Sequence, residues 1–117
     1  MARLPEARLA IIDEQKITRY LLASGHPAGR AKAAFFHRFG FNAVAWHSLR
    51  DALLDHARSA RVVSVSETEF GKKYILEGRL PAPDGRKPRI RAIWVVATGE
   101  TAPRLVTAYP EPAEFKR

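Results

Sequence analysis

The sequence predicts an α+β domain in which N-terminal helices pack on a four-stranded antiparallel sheet. Apolar residues recur at helical spacing up to about residue 60, and the period changes to two after Arg61. The segments between the later apolar runs, "FGK", "PAPDGRKP" and "TGETAP", are short and rich in turn residues. Short connections favour antiparallel neighbours and a simple meander. A length of 117 residues suits one domain (1–117) with a single modest core, ordered over about 10–110 and ending in a loose tail, "PEPAEFKR".

The first helix is expected in "IDEQKITRYLLA". Asp13 is a suitable N-cap, acids occupy the first turn, and Ile17, Tyr20 and Leu21 share a face. Gly25 and Pro27 end it. The second helix should run roughly Arg30–Phe39 with Gly40 as its C-cap, burying Ala31, Phe35 and Phe39 while Lys32 and Phe36 occupy a neighbouring face. The third is expected from near Asn42 to about Ala60, with Trp46, Leu49, Leu53 and Ala57 as its apolar stripe.

"RVVSVSETEF", "KKYILEGRL", "RIRAIWVVA" and "RLVTAY" are the strands, rich in Val, Ile, Tyr, Phe and Trp. Alternation sets Arg91, Ile93 and Val95 against Ile90, Ala92, Trp94 and Val96. It sets Leu105, Thr107 and Tyr109 against Val106 and Ala108. Both faces are apolar enough that alternation leaves open which one is buried.

Charge narrows the function. The net charge is +8, and residues 72–104 alone carry eight Lys/Arg against three Asp/Glu. Such a balance favours a polyanion or an acidic protein partner, although generous surface lysine and arginine produce the same number. No cysteine is present, which excludes disulfides, thiolate metal sites and cysteine nucleophiles. The apolar runs are too short for a membrane span and the N-terminus lacks a clear secretory core, so a cytoplasmic protein is expected. His26, His37, His47 and His56 are spaced eleven, ten and nine apart, with no i, i+4 pair for a metal. On their helices His37, His47 and His56 need only ordinary surface or boundary roles. Neither a Gly-x-Ser-x-Gly elbow nor a paired-carboxylate pattern occurs. No cofactor is implied.

Two stretches carry chemistry. In "SGHPAGRAKAAFF" a loop becomes a helix, with His26 in the turn and Lys32 just inside the helix. Gly25, Gly29 and Lys32 lack the P-loop spacing, and no Ser or Thr follows the lysine. A helix entrance still presents free N–H groups to an anion, and histidine suits proton transfer near neutrality. In "RLVTAYP", Arg104, Thr107 and Tyr109 offer phosphate donors and a proton-transferring or base-stacking ring. Thr and Tyr are also simply good strand formers.

Taken in order, "KITRYLL", "HPAGRAKAAFFHRFGF", "FGKKYILEGRL", "PDGR", "RIRAIWVV" and "PRLVTAYP" resemble a family of small bacterial proteins and C-terminal polymorphic-toxin domains. That family is similar to the barnase–EndoU–colicin–RelE (BECR) group of ribonuclease toxins, which set N-terminal helices against an antiparallel sheet. The resemblance covers about residues 10–110. It implies a BECR-like fold and a metal-independent endoribonuclease toxin, with RNA as substrate and a small acidic antitoxin as partner. The positions that match are His26, Lys32, Lys73, Arg91, Thr107 and Tyr109. The sequence departs at Gly29-Arg30, where relatives often carry a richer glycine run. A non-catalytic RNA- or ribosome-binding module, or a basic protein-interaction domain, accounts for the charge equally well.

Overall fold

The computed structural model describes residues 2–23, 25 and 30–112. Helix α1 begins at Glu14–Lys16 and continues as a π-helical turn over Ile17–Leu21; α2 spans Arg30–Arg38 and α3 spans Trp46–Ser59. Strands β1 (Arg61–Thr68), β2 (Gly71–Arg79), β3 (Arg89–Ala97) and β4 (Arg104–Pro110) follow. They form one antiparallel sheet in the order β1-β2-β3-β4, the expected meander. The fold is the predicted α+β arrangement, with the helices packed against the sheet.

The core decides the question that alternation left open. Ile90, Ala92 and Trp94 of β3, with Tyr74 and Leu76 of β2, turn inward. They meet Ile17 and Leu21 of α1, Phe36 of α2, and Leu49 and Leu53 of α3 in one cluster. The face carrying Glu77, Arg91, Ile93 and Val95 is therefore the open one. Its side chains are only half-buried.

Three local expectations change. In α2 the buried residues are Ala33 and Phe36, while Phe35 and Phe39 are partly covered and Ala31 is exposed. Phe35 and Phe36 are adjacent, and period alone cannot choose which of two adjacent rings faces the core. Helix α3 starts four residues later than expected, because Asn42 closes a turn instead, its Oδ1 accepting from the Ala45 N–H at 2.9 Å. In β4 the register shifts opposite Ile93/Trp94, leaving Val106 as a bulge residue. Leu105 therefore joins Ala108 in the core, and Thr107 and Tyr109 stay on the open face. At the C-terminus, the Glu111 N–H donates to the Arg89 carbonyl at 3.2 Å. Residues 113–117 of the expected tail lie outside the described residues.

His56 is fully buried rather than a boundary residue. Its Nε2 lies 3.3 Å from the Ile90 carbonyl oxygen, so that nitrogen must carry the hydrogen, and Nδ1 has no partner among the described residues. Burial pushes the imidazole pKa below its ordinary value, with a smaller push from Arg89; the Ile90 and Gly78 carbonyls oppose it. The unfolded chain titrates this histidine at about 6.5. Above that pH both states are neutral and the stability is intact. As pH falls below it, the unfolded state takes up a proton that the folded state resists, and stability is lost towards the lower, folded pKa. Melting temperature should therefore fall on acidification through about pH 6.5, and His56→Gln should flatten that slope. An unchanged slope in a folded His56→Gln protein would place the acid sensitivity elsewhere.

Candidate active site

Four of the residues predicted from sequence meet at one end of the open face. The register pairs Glu77 with Arg91 and Arg91 with Tyr109, forming a row across β2, β3 and β4. Ile93 and Thr107 form the next row. Cross-strand partners point to the same side, so the two rows are adjacent.

Helix α2 brings Lys32 to this corner. Phe36, one turn further along the same face, is fully buried and fixes the helix rotation. The C-terminal end is clamped by Arg86, which donates to the Arg38 carbonyl at 3.1 Å and covers the Phe39 ring at 4.3 Å. His37 Nε2 meets the Leu22 carbonyl at 3.1 Å and ties α2 to the end of α1. Held this way, the Lys32 ammonium donates to the Tyr20 hydroxyl at 2.8 Å and lies 5.9 Å from the Tyr109 ring centroid.

Tyr20 belongs to the π-helical turn, a local distortion found frequently at functional sites. The Lys32 ammonium sits 5.1 Å from its ring centroid and that of Lys16 5.6 Å. The Lys32 hydrogen bond, then the Thr107 hydroxyl, hold the Tyr20 pKa below its ordinary value; partial burial opposes them, and the Lys32 and Lys16 charges add to them. The phenolate is thus more accessible than in a free tyrosine. Thr107 acts on Tyr20 from a buried position: its Oγ1 is shielded from solvent.

Arg91 is held by Glu77. Its Nε donates to Glu77 Oε2 at 2.8 Å, and a terminal nitrogen donates to the same oxygen. The Glu77 bond raises the guanidinium pKa, burial opposes it, and Tyr109 adds to the rise. The cation is fixed in place and always charged.

The remaining predicted residues stand apart. Lys73 is on the same face but four residues from Glu77 along β2, roughly 13 Å at the usual strand rise. It lines a separate depression with Phe70, Val95 and Val106. His26 lies outside the described residues. Arg104 is exposed, 3.8 Å from Glu100. Tyr20 and Glu77 were not singled out by sequence. Tyr20 read as part of an apolar stripe, and only its i−4 neighbour Lys16 hinted at more. Glu77 carried no local signal, because its partner is fourteen residues away.

Among the described residues no three His, Asp or Glu side chains come together as a metal-holding group. No described helix is long and apolar enough to cross a membrane.

Residues 3–112 match the model of a family described as "Domain of unknown function (DUF6883)". The chain belongs to this family. No curated protein matches the DUF6883 chain. Its fold is similar to a chain in the contact-dependent growth inhibition toxin–immunity protein complex from Klebsiella pneumoniae 342. The TM-score is 0.69 at 17% identity, covering 87% of the DUF6883 chain and 100% of the other. At that identity the likeness is one of fold.

Proposed function

We propose that this DUF6883 chain is a ribonuclease toxin that cuts RNA at the Tyr20–Lys32–Arg91–Tyr109 corner. One observation carries the reading: two cations, two phenols and a buried hydroxyl converge from four elements, α1, α2, β3 and β4. The net charge of +8 suits a polyanionic substrate. The fold's likeness to a chain from a toxin–immunity complex supports the toxin role, and the basic charge favours the toxin side of such a pair.

The chemistry needs no group beyond the chain and the RNA. A base removes the proton from the ribose 2′-hydroxyl, and the 2′-oxygen attacks the adjacent phosphorus. The bond from phosphorus to the 5′-oxygen breaks, and an acid protonates that leaving oxygen. The products are a 2′,3′-cyclic phosphate and a 5′-hydroxyl. Lys32 and Arg91 offset the charge that develops on the non-bridging oxygens, and Thr107 donates to one of them. Tyr109 and His26, six residues before Lys32 in sequence, exchange the protons. Tyr20, gripped by Lys32, is a further hydroxyl donor. A small acidic antitoxin would neutralise the protein by covering this corner, associating more slowly as salt rises.

Incubating purified protein with total cellular RNA, with and without EDTA, tests the mechanism. Cleavage should persist in EDTA and leave cyclic phosphate or 3′-phosphate ends. Ends bearing a 3′-hydroxyl, or loss of cleavage in EDTA, would overturn it.

A further inference from the structure

The β1–β2 hairpin exposes an aromatic ring on a hydrogen-bonded backbone. The Phe70 N–H donates to Thr68 Oγ1 at 3.1 Å, and the Phe70 carbonyl accepts from the Thr98 N–H at 3.0 Å. Thr68 Oγ1 also donates to the Gly71 carbonyl at 2.8 Å. Gly71 is wedged against β3, where a Cβ would come within 2.1 Å of the Val96 carbonyl oxygen. The backbone around Phe70 is thus tied on both sides, yet the residue is 72% exposed.

Beside the ring lies an open depression of about 590 Å³ on the same sheet face as Arg91 and Tyr109. Val95, Val106, Thr68 and Glu69 line it with Phe70, and Lys73 lines it from the strand that also carries Glu77. Of the two neighbouring lysines, Lys72 is drawn to Glu67 at 3.9 Å. Lys73 is left as the cation of the depression.

We infer that this depression is a base-binding subsite. It takes one unstacked nucleobase against Phe70, with that nucleotide's phosphate at Lys73, from the strand being cut at Lys32 and Arg91. The inference rests on the ribonuclease reading and adds where the flanking RNA runs. An exposed aromatic face on a tied backbone stacks any base, and an adjoining cation suits the phosphate that accompanies it. The roughly 13 Å between the Lys73 and Glu77 positions is within reach of a short single strand. A protein partner would use the ring and valines but would give Lys73 and the shared face no particular role. RNA uses the ring, the valines and Lys73 together, against the one opposing charge of Glu69 on the rim.

The test compares wild type, Phe70→Ala and Phe70→Trp on a dinucleotide and on a single-stranded RNA of roughly ten nucleotides. The readout is the ratio of kcat/KM on the longer strand to that on the dinucleotide. Phe70→Ala should lower this ratio about 5- to 150-fold, the range that one stacked base represents. Phe70→Trp should hold it near wild type, and neither change should alter the melting temperature much because the ring is exposed. An unchanged ratio in Phe70→Ala overturns the subsite, and does so in favour of a protein surface if that variant also escapes neutralisation by an acidic partner. If wild type cuts neither RNA, the ribonuclease reading fails separately. Fluorescence anisotropy with the longer strand then judges the subsite: weakened binding by Phe70→Ala supports it, and equal binding overturns it.

Discussion

Tyr109→Phe and Lys32→Met should each lower RNA cleavage by about 10²–10⁴-fold while the protein stays folded. Tyr109→Phe keeps the ring that lies beside Lys32 and removes only the hydroxyl, so it isolates proton transfer and hydrogen bonding from packing. Lys32→Met keeps most of the apolar stem and removes the charge. It also removes the hydrogen bond to Tyr20, so the Tyr20 pKa should rise towards its ordinary value in the variant. Arg91→Ala is a poorer test, because it strands the half-buried Glu77 carboxylate and costs stability on its own account. His26→Ala should match Tyr109→Phe if the two exchange protons. Growth inhibition in cells and kcat/KM on RNA are the measurements, with melting temperature as the control. Folded Tyr109→Phe and Lys32→Met proteins that cleave like wild type would remove this corner from the mechanism.

Gly71→Ala should be among the most damaging single changes to the fold. Its φ is +142°, a conformation that side chains rarely adopt, and the new Cβ would lie 2.1 Å from the Val96 carbonyl oxygen and 2.8 Å from Ala97 Cα. Both neighbours are backbone of a paired strand and cannot step aside. Backbone strain and overpacking together should cost about 3–5 kcal/mol, a large share of a total stability of about 5–15 kcal/mol. Gly99→Ala is the control. Its φ of +84° carries the conformational strain, but nothing lies within 4 Å of the added methyl. It should cost only about 1–2 kcal/mol. Urea unfolding would separate the two, with the Gly71→Ala midpoint falling by about 1–3 M. Equal midpoints would mean that β3 yields at Val96 more easily than a paired strand should.

The sequence by itself determined the elements and their order. The change from helical spacing to alternation at Arg61, and the turn residues between the later runs, located four strands within a residue or two and implied their meander. These are local properties, written in the residues that adopt them. Lys32, Arg91, Thr107 and Tyr109 were also legible, as residue types suited to phosphate chemistry in segments that resemble a toxin family.

Only the tertiary structure decided which of those residues meet. Phe36 rather than Phe35 faces the core, and that choice rotates Lys32 over β4. A bulge at Val106 separates Leu105 from Thr107 and Tyr109, which strict alternation had grouped together. Tyr20 looked like a core residue until Lys32, twelve positions away, proved to be its partner, and His56 looked like a boundary residue until α3 packed on β3. Each outcome depends on contacts between segments far apart in the chain. Period and propensity report only what a residue's near neighbours favour, so the pairing of distant side chains is settled when the layers pack.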